Sequence, residues 1–127
     1  MTDNDAALAA NLEFYRAFTA HDWIAMDRLW AKKHPVMCLH PGWTLLRGRE
    51  AVMQSWQDIL TGSEAPHVMC HDDEAFVNGD VAIVVCEEEL RDGSLAATNL
   101  FVREEGNWRM IHHQASPIIA RYADGRR

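Results

Sequence analysis

Polar side chains with catalytic potential collect towards the C-terminal end of the chain, within residues 97–117. This stretch contains Asn99, Arg109 and the adjacent pair His112 and His113, embedded in two runs of alternating, β-prone residues. Such runs predict long strands that are largely buried. Buried polar groups must either form hydrogen bonds within the fold or take part in binding or catalysis. The stretch is therefore the first candidate for a functional site.

A single carboxylate is expected on the inner face of the strand that precedes this stretch. Alternation along the strand separates Glu88 from its neighbours Glu87 and Glu89. Two glutamates on one face are easier to solvate than to bury, so we assign Glu88 to the inner side. Desolvation raises the pKa of a lone carboxylate and suits it to acid–base work near neutral pH. The alternative is a structural ion pair with Arg103, Arg109 or another basic group.

The elements that must position these groups follow from hydrophobic periodicity. Apolar residues spaced by threes and fours predict helices over residues 3–20, 23–32 and 49–60. β-prone runs predict a small hairpin at 36–40 and 43–46, then an antiparallel meander at 67–77, 81–91, 95–103 and 108–116. This α+β layout places three helices on one face of a curved, mostly antiparallel sheet and leaves a cone-shaped pocket.

Size and composition limit the classes of function. With 127 residues and 48% hydrophobic content, we predict a single domain over residues 1–127, with an ordered core at about 3–119 and a frayed tail from Arg121. A formal charge of −7 argues against nucleic acid and anionic lipid as partners. No segment approaches the ~20 apolar residues of a membrane span, and the start lacks a secretory signal, so a cytoplasmic protein is expected.

Cysteine and histidine usage raises the question of a metal site. The three cysteines, Cys38, Cys70 and Cys86, are odd in number and lie in apolar runs, which suits reduced core thiols. His40 follows Cys38 on the same strand face and precedes a Pro-Gly turn. No Cys-x-x-Cys or His-x-x-x-His spacing occurs, and a strand-end histidine is more often a hydrogen-bonded structural residue. We predict no metal and no cofactor.

Four segments stand out together with the order of the elements. They are Cys38-Leu-His-Pro-Gly-Trp43, Leu46-Arg-Gly-Arg-Glu-Ala-Val52 leading to Ser55-Trp56, Ala97-Thr-Asn-Leu-Phe101, and Trp108 to Pro117. In this combination the chain resembles the SnoaL-like branch of the nuclear-transport-factor-2-like superfamily. The resemblance implies a cone-shaped α+β barrel with an internal cavity, and usually a homodimer packed through the sheets. The fold hosts isomerases, cyclases, dehydratases and a kinase association domain, so it implies a list of activities. The isomerase set of a tyrosine and paired aspartates has no obvious counterpart in this sequence.

The resemblance also sorts the faces of the last two strands. In the kinase association domain, the residue equivalent to Ala115 points into the pocket, which favours the face bearing Arg109 and His113 as the inner one. Asn99 would lie on the cavity side of the preceding strand, where its amide offers both a donor and an acceptor. The opposite face of the last strand, with Trp108, Met110 and His112, would then suit a homodimer contact.

Aromatic residues are expected to complete the pocket. Tyr15, Trp43 and Trp56 sit on the predicted inner faces of the first helix, the hairpin and the third helix, and His40 lies at the hairpin turn. Plain core packing is the alternative for aromatics at helical spacing. The segment 47–49, Arg-Gly-Arg, resembles the family's Gly-Arg turn and is expected to cap the start of the third helix, with an anion site as the alternative.

Two hypotheses follow. The first is a small-molecule-binding cavity domain, an isomerase, cyclase or dehydratase type of enzyme if it is an enzyme, acting on a carbonyl-containing metabolite. Glu88 or His113 would carry the proton and Asn99 would polarise the carbonyl. The second is a non-catalytic, dimeric ligand-sensing or assembly module, in which Glu88, His113 and Asn99 form a self-satisfied network that rigidifies the sheet.

Overall fold

Three helices cover one face of a six-stranded sheet. The computed structural model describes residues 1–62 and 66–122. The elements are α1 (Asp3–Thr19), α2 (Trp23–Leu29), β1 (Met37–Leu39), β2 (Leu46–Arg47), α3 (Arg49–Thr61), β3 (Met69–Asn78), β4 (Val81–Leu90), β5 (Gly93–Glu104) and β6 (Asn107–Pro117). The strand order is β2-β1-β6-β5-β4-β3, and every pairing is antiparallel except β1 with β6. The predicted α+β cone is confirmed.

Helix α1 begins at a complete capping box. The Thr2 hydroxyl accepts from the backbone N–H of Asp5, and the Asp5 carboxylate accepts from the Thr2 N–H. The face turned to the sheet includes Asn11 and Tyr15, both buried. Leu12 lies at helical spacing from Leu8 and Tyr15, so the apolar periodicity predicts it on the buried face, but it is 52% exposed. The buried face is therefore rotated by about one residue from the predicted one, and a polar side chain occupies its centre.

Arg49 ties the end of α2 to the start of α3. Its guanidinium donates to the backbone carbonyls of Asp27, Trp30 and Ala31 and pairs with the Asp27 carboxylate. These are carbonyls at and beyond the end of α2, which have no intrahelical partner. Arg49 of the Arg-Gly-Arg turn therefore satisfies carbonyls of the preceding helix. The N-cap of α3 is Gly48, which has no side chain to form a capping hydrogen bond and whose φ of +90° favours glycine.

A β-bulge interrupts the pairing of β5 with β6. Leu100 pairs with His112 and Phe101 pairs with Met110, so Ile111 has no partner across the ladder. One extra residue reverses the inward and outward alternation of the strand on either side of it. In β6, the residues before Ile111 therefore face the side of the sheet opposite to the one that uninterrupted alternation would give them.

The bulge corrects two predictions about β6. Trp108 and Met110 are buried in the core under the helices, so they cannot form the predicted homodimer surface. Arg109 lies on the other side of the strand, half-buried, and is excluded from the interior where the sequence pattern placed it. His113 and Ala115, beyond the bulge, are buried, and His112 faces outward as predicted.

No helix within residues 1–62 and 66–122 is both long and apolar enough to cross a bilayer.

The C-terminal end of the described chain is held to the rest of the domain. Arg121 forms two hydrogen bonds with the carboxylate of Glu87, at 3.0 and 3.1 Å, and Ile118 donates its N–H to the carbonyl of Ser94. The frayed tail predicted from Arg121 is therefore anchored at its first residue, and positions 123–127 lie outside the described residues.

The reversal at the bulge predicts unequal costs for two adjacent truncations. Met110→Ala should lower the free energy of unfolding by about 2–5 kcal/mol, because it opens a cavity in the core. Arg109→Ala should cost under about 1 kcal/mol, because it removes a partly solvated side chain. Urea denaturation followed by tryptophan fluorescence measures both values. A larger loss for Arg109→Ala than for Met110→Ala would contradict the reversed alternation.

Candidate functional site

Glu88 occupies the predicted position on the inner face of β4. Val84 and Cys86 are buried on the same face, and Glu88 itself is only 2% exposed. Ile83 and Glu89 point to the opposite side and are exposed. The alternation along β4 is regular, since its pairing with β5 runs without interruption. A carboxylate is therefore enclosed between the sheet and α1.

Three hydrogen bonds and one longer contact join four side chains into a ring that includes this carboxylate. The Tyr15 hydroxyl donates to Glu88 Oε2 at 2.6 Å, and Asn99 Nδ2 donates to the Tyr15 oxygen at 3.2 Å. Asn99 Oδ1 lies 2.6 Å from His113 Nδ1, and His113 Nε2 lies 3.8 Å from Glu88 Oε2. Strands β4, β5 and β6 each supply one residue and α1 supplies the tyrosine. The structure thus brings together Tyr15, Asn99, Glu88 and His113, all predicted as site residues.

Asn11, which the sequence patterns did not single out, extends the ring. Its Oδ1 accepts from Asn99 Nδ2 at 2.8 Å, and its Nδ2 lies 3.7 Å from the Cys70 sulfur. A polar residue four positions before Tyr15, on the apolar face of a helix, was the available signal. The Cys86 thiol adds a contact to the Tyr15 oxygen at 3.3 Å.

Burial sets the protonation states within the ring. Desolvation raises the pKa of Glu88, and the hydrogen bond from Tyr15 opposes that rise. Burial also lowers the pKa of His113 to about 3, with the nearby His40 and His112 contributing in the same direction, so the imidazole is neutral at physiological pH. Burial and then the Glu88 charge raise the pKa of Tyr15, which keeps its hydroxyl proton.

An aromatic wall stands beside the ring. Phe14 packs edge-on against Trp56, with ring centroids 5.3 Å apart, and its ring lies 4.9 Å from that of His113. Trp56 is fully buried, as expected of a wall residue. Trp43, by contrast, is 47% exposed and only touches the edge of His40, so the prediction that it lines the interior is wrong. It lies in the loop between β1 and β2, where no strand pairing turns it inward.

His40 is a hydrogen-bonded structural residue. The Ser55 hydroxyl donates to the backbone carbonyl of Val52 at 2.7 Å, so it accepts the N–H of His40 Nε2 at 2.9 Å. A serine nucleophile needs the opposite polarity, with the hydroxyl donating to the imidazole. Burial lowers the pKa of His40 to about 4. Within the described ranges, no three His, Cys, Asp or Glu side chains converge on a point that could hold a metal ion.

A cleft of about 780 Å³ opens at the end of the sheet nearest to Glu88. Leu95, the cross-strand partner of Glu88, and Pro117, the partner of Leu95, both line it. Leu90, two residues beyond Glu88 on β4, lines it as well. The cleft is therefore lined by neighbours of Glu88 along β4 and across the sheet.

Comparisons with known proteins agree with this architecture. The family model described as the SnoaL-like domain matches residues 7–120. A crystal structure from Streptomyces avermitilis, provisionally described as a dehydratase of the NTF2-like family, superimposes with a TM-score of 0.84 at 32% identity, covering 93% of this chain and 97% of that one. A Thiobacillus denitrificans structure, provisionally described as the association domain of a calcium/calmodulin-dependent protein kinase type II, gives 0.77 at 30% identity, covering 87% and 94%.

One curated relative is a longer plant protein. The F-box protein SKIP8 of Arabidopsis thaliana is 29% identical over 116 residues, which are 90% of this chain. The chain spans about half the length of that relative.

The raised pKa of Glu88 predicts that this carboxylate destabilises the fold as pH rises. Because the folded state holds the Glu88 proton more tightly than the unfolded state, stability is highest below the unfolded pKa of about 4.3 and falls as pH rises towards the folded value. Glu88→Gln cannot lose a proton, so it should melt above the wild type at pH 8 and close to it at pH 4. Circular dichroism melts at both pH values measure this.

Glu89→Gln is the matched control, because Glu89 lies on the exposed face of the same strand. Its melting temperature should stay close to the wild type at both pH values. A Glu88→Gln variant less stable than the wild type at pH 8 would show instead that a charged Glu88 is stabilised by its neighbours.

Proposed function

This chain belongs to the SnoaL-like domain family, and from that premise we propose that it binds a small carbonyl-containing metabolite and performs acid–base chemistry on it. The observation that carries the proposal is the buried ring of Tyr15, Glu88, Asn99 and His113. Proton transfer next to a carbonyl requires a base and hydrogen-bonding groups held close together. The ring supplies them as a carboxylate, a neutral imidazole, a phenol and an amide in one enclosed place.

The roles follow from the hydrogen bonds. Glu88, as a carboxylate of raised pKa, takes a proton from the carbon next to the substrate carbonyl, and the C–H electron pair moves to form an enolate. The Tyr15 hydroxyl, which donates to Glu88 in the ring, transfers its hydrogen bond to the enolate oxygen as Glu88 takes up the proton, and Asn99 supports it by donating to the Tyr15 oxygen. In a β,γ-unsaturated carbonyl compound the enolate is conjugated with the double bond, so return of the proton to the γ-carbon moves the double bond to the α,β position and gives isomerisation. Delivery of the proton to a β-hydroxyl, which leaves as water, gives dehydration.

Access to the ring is through the cleft at the end of the sheet. Glu88 and His113 are almost fully buried, so a substrate reaches them only where neighbouring side chains move aside. Leu95 and Leu90 stand between the cleft and Glu88, and both are apolar side chains without hydrogen-bond obligations. The dehydratase description of the Streptomyces avermitilis protein supports this choice of chemistry.

Deuterium exchange tests the proposal while the substrate is still unidentified. Ketones and β-hydroxyketones are first screened for those that raise the melting temperature. In D₂O, the wild type should then exchange the α-protons of such a ketone, as followed by proton NMR. Glu88→Gln should slow this exchange by about 10²- to 10⁴-fold. Glu89→Gln should leave it unchanged, and equal exchange by Glu88→Gln and wild type would remove the assignment of Glu88.

An apolar row on the outer sheet face favours a second role, assembly. Strand pairing aligns Met37, His112, Leu100, Ile83 and Phe76 across five strands. We call these five residues the outer row. Three of them are large hydrophobic side chains with substantial exposure, Phe76 at 50%, Met37 at 39% and Ile83 at 38%. A contiguous apolar surface of this kind is typical of an interface.

We propose that the outer row forms a homodimer contact between two sheets. It replaces the surface with Trp108 and Met110, which the bulge turns inward. The description of the Thiobacillus denitrificans protein as an association domain supports an assembly role. We also propose the cytoplasm as the site of action, because the three cysteines are free thiols.

Light scattering after size exclusion tests the homodimer. Ile83→Asp places a charge in the middle of the outer row and should convert a wild-type dimer into a monomer. Ile24→Asp is the matched control, because Ile24 is the same residue type and is also exposed, at 69% against 38% for Ile83, but lies on α2, on the helical side. It should remain dimeric. A monomeric wild type, or a dimeric Ile83→Asp, would be incompatible with this interface.

A further inference from the structure

We infer that Asn11 is a positioning residue, which acts through the Asn99 amide to decide which ring nitrogen of His113 carries the proton. Asn11 lies outside the group of residues that would touch a substrate. The inference rests on the proposed function for its catalytic consequence, whereas the proton position itself can be measured without any substrate.

The orientation of the Asn99 amide follows from counting donors. Its Nδ2 carries two hydrogens, and the two oxygens within reach are Asn11 Oδ1 at 2.8 Å and the Tyr15 oxygen at 3.2 Å. The Tyr15 hydroxyl donates its single hydrogen to Glu88 at 2.6 Å, so towards Asn99 the Tyr15 oxygen can only accept a hydrogen bond. Both neighbours of Nδ2 are therefore acceptors. A flipped Asn99 amide would place its oxygen against two other oxygens.

The orientation of Asn99 then dictates the tautomer of His113. With Nδ2 committed to Asn11 and Tyr15, the atom facing the imidazole is Oδ1, 2.6 Å from His113 Nδ1. A carbonyl oxygen accepts only, so Nδ1 must carry the hydrogen. Because burial keeps the ring neutral, Nε2 is left unprotonated. Its lone pair points towards Glu88 Oε2 at 3.8 Å.

This tautomer preserves Glu88 as a base. An unprotonated Nε2 donates no hydrogen bond to Glu88, so the carboxylate keeps the raised pKa that burial gives it. The other tautomer would place an N–H against the carboxylate, favour its charged form and weaken it as a base. His113 is thus held with its unprotonated nitrogen towards Glu88, and Asn11 helps to hold it in that tautomer.

Asn11 is suited to this role by its own fixed position. It is completely buried on α1, and its Nδ2 points to the Cys70 sulfur at 3.7 Å, which leaves Oδ1 for Asn99. Loss of Oδ1 would leave one Asn99 hydrogen without an acceptor in a site closed to water, a cost of the size of a hydrogen bond. That cost reduces the free-energy difference that favours the present orientation of the Asn99 amide over the flipped one.

Nitrogen-15 NMR of histidine-labelled protein at pH 8 reads the tautomer directly. The His113 signals are assigned by their disappearance in His113→Gln. The wild type should show a protonated Nδ1 and an unprotonated Nε2. In Asn11→Leu, which keeps the volume and removes the acceptor, the Nε2–H tautomer should rise about tenfold in population. Asn11→Asp keeps an oxygen for Asn99 and should retain the wild-type tautomer.

Leu12→Ala is the control for substitution in this part of α1, because Leu12 is exposed, and it should leave the spectrum unchanged. Asn11→Ala carries the same test as Asn11→Leu if the leucine variant does not fold. A wild-type His113 protonated on Nε2 would overturn the inference, as would a folded Asn11→Leu or Asn11→Ala with the wild-type tautomer.

The outcomes also separate the inference from the proposed function. If ketone exchange is found, Asn11→Leu should lower it by about 10²-fold, the scale of one lost acid–base contribution. A tautomer change without any α-proton exchange in the wild type would leave the positioning role of Asn11 standing. In that case only the proposed chemistry would fail.

Discussion

The interior of this protein is organised by one constraint, the burial of the Glu88 carboxylate against the Tyr15 hydroxyl. A carboxylate removed from water costs several kcal/mol unless hydrogen-bond donors replace the lost solvent. The Tyr15 hydroxyl donates a hydrogen bond to Glu88, and it can reach the carboxylate only if α1 packs against β4 at the level of Glu88. Asn99 and His113 then complete the ring from the next two strands. The docking of the first helix and the polar network are thus mutually dependent.

The β-bulge at Ile111 divides the interior into two regions. On one side of it, Met110 and Trp108 face the helices and belong to the apolar core. On the other side, His113 faces inward and belongs to the polar ring. An unbroken strand could not turn both Met110 and His113 inward, because they are three residues apart and alternation has a period of two. The bulge lets one strand serve both the core and the site.

The inner ring and the outer row lie on opposite faces of the same strands. Leu100 in the outer row is adjacent to Asn99 in the ring, and His112 is adjacent to His113. Strand geometry separates such neighbours by the thickness of the sheet, so substitutions on one face leave the contacts of the other largely intact. Two solved structures with this fold carry different provisional descriptions, one as a dehydratase and one as an association domain.

Periodicity alone determined the order of the elements and the inward face of Glu88, because helical and strand repeats are set by local covalent geometry. The inward positions of Asn99 and His113 followed from family resemblance. Tertiary structure decided the rest. An unpaired residue leaves no mark in a sequence pattern, so the reversal of Met110 and Arg109 depended on the partner strand. The role of Asn11 likewise emerged only from its partners, since hydrogen-bond polarity belongs to an arrangement in space rather than to a residue type.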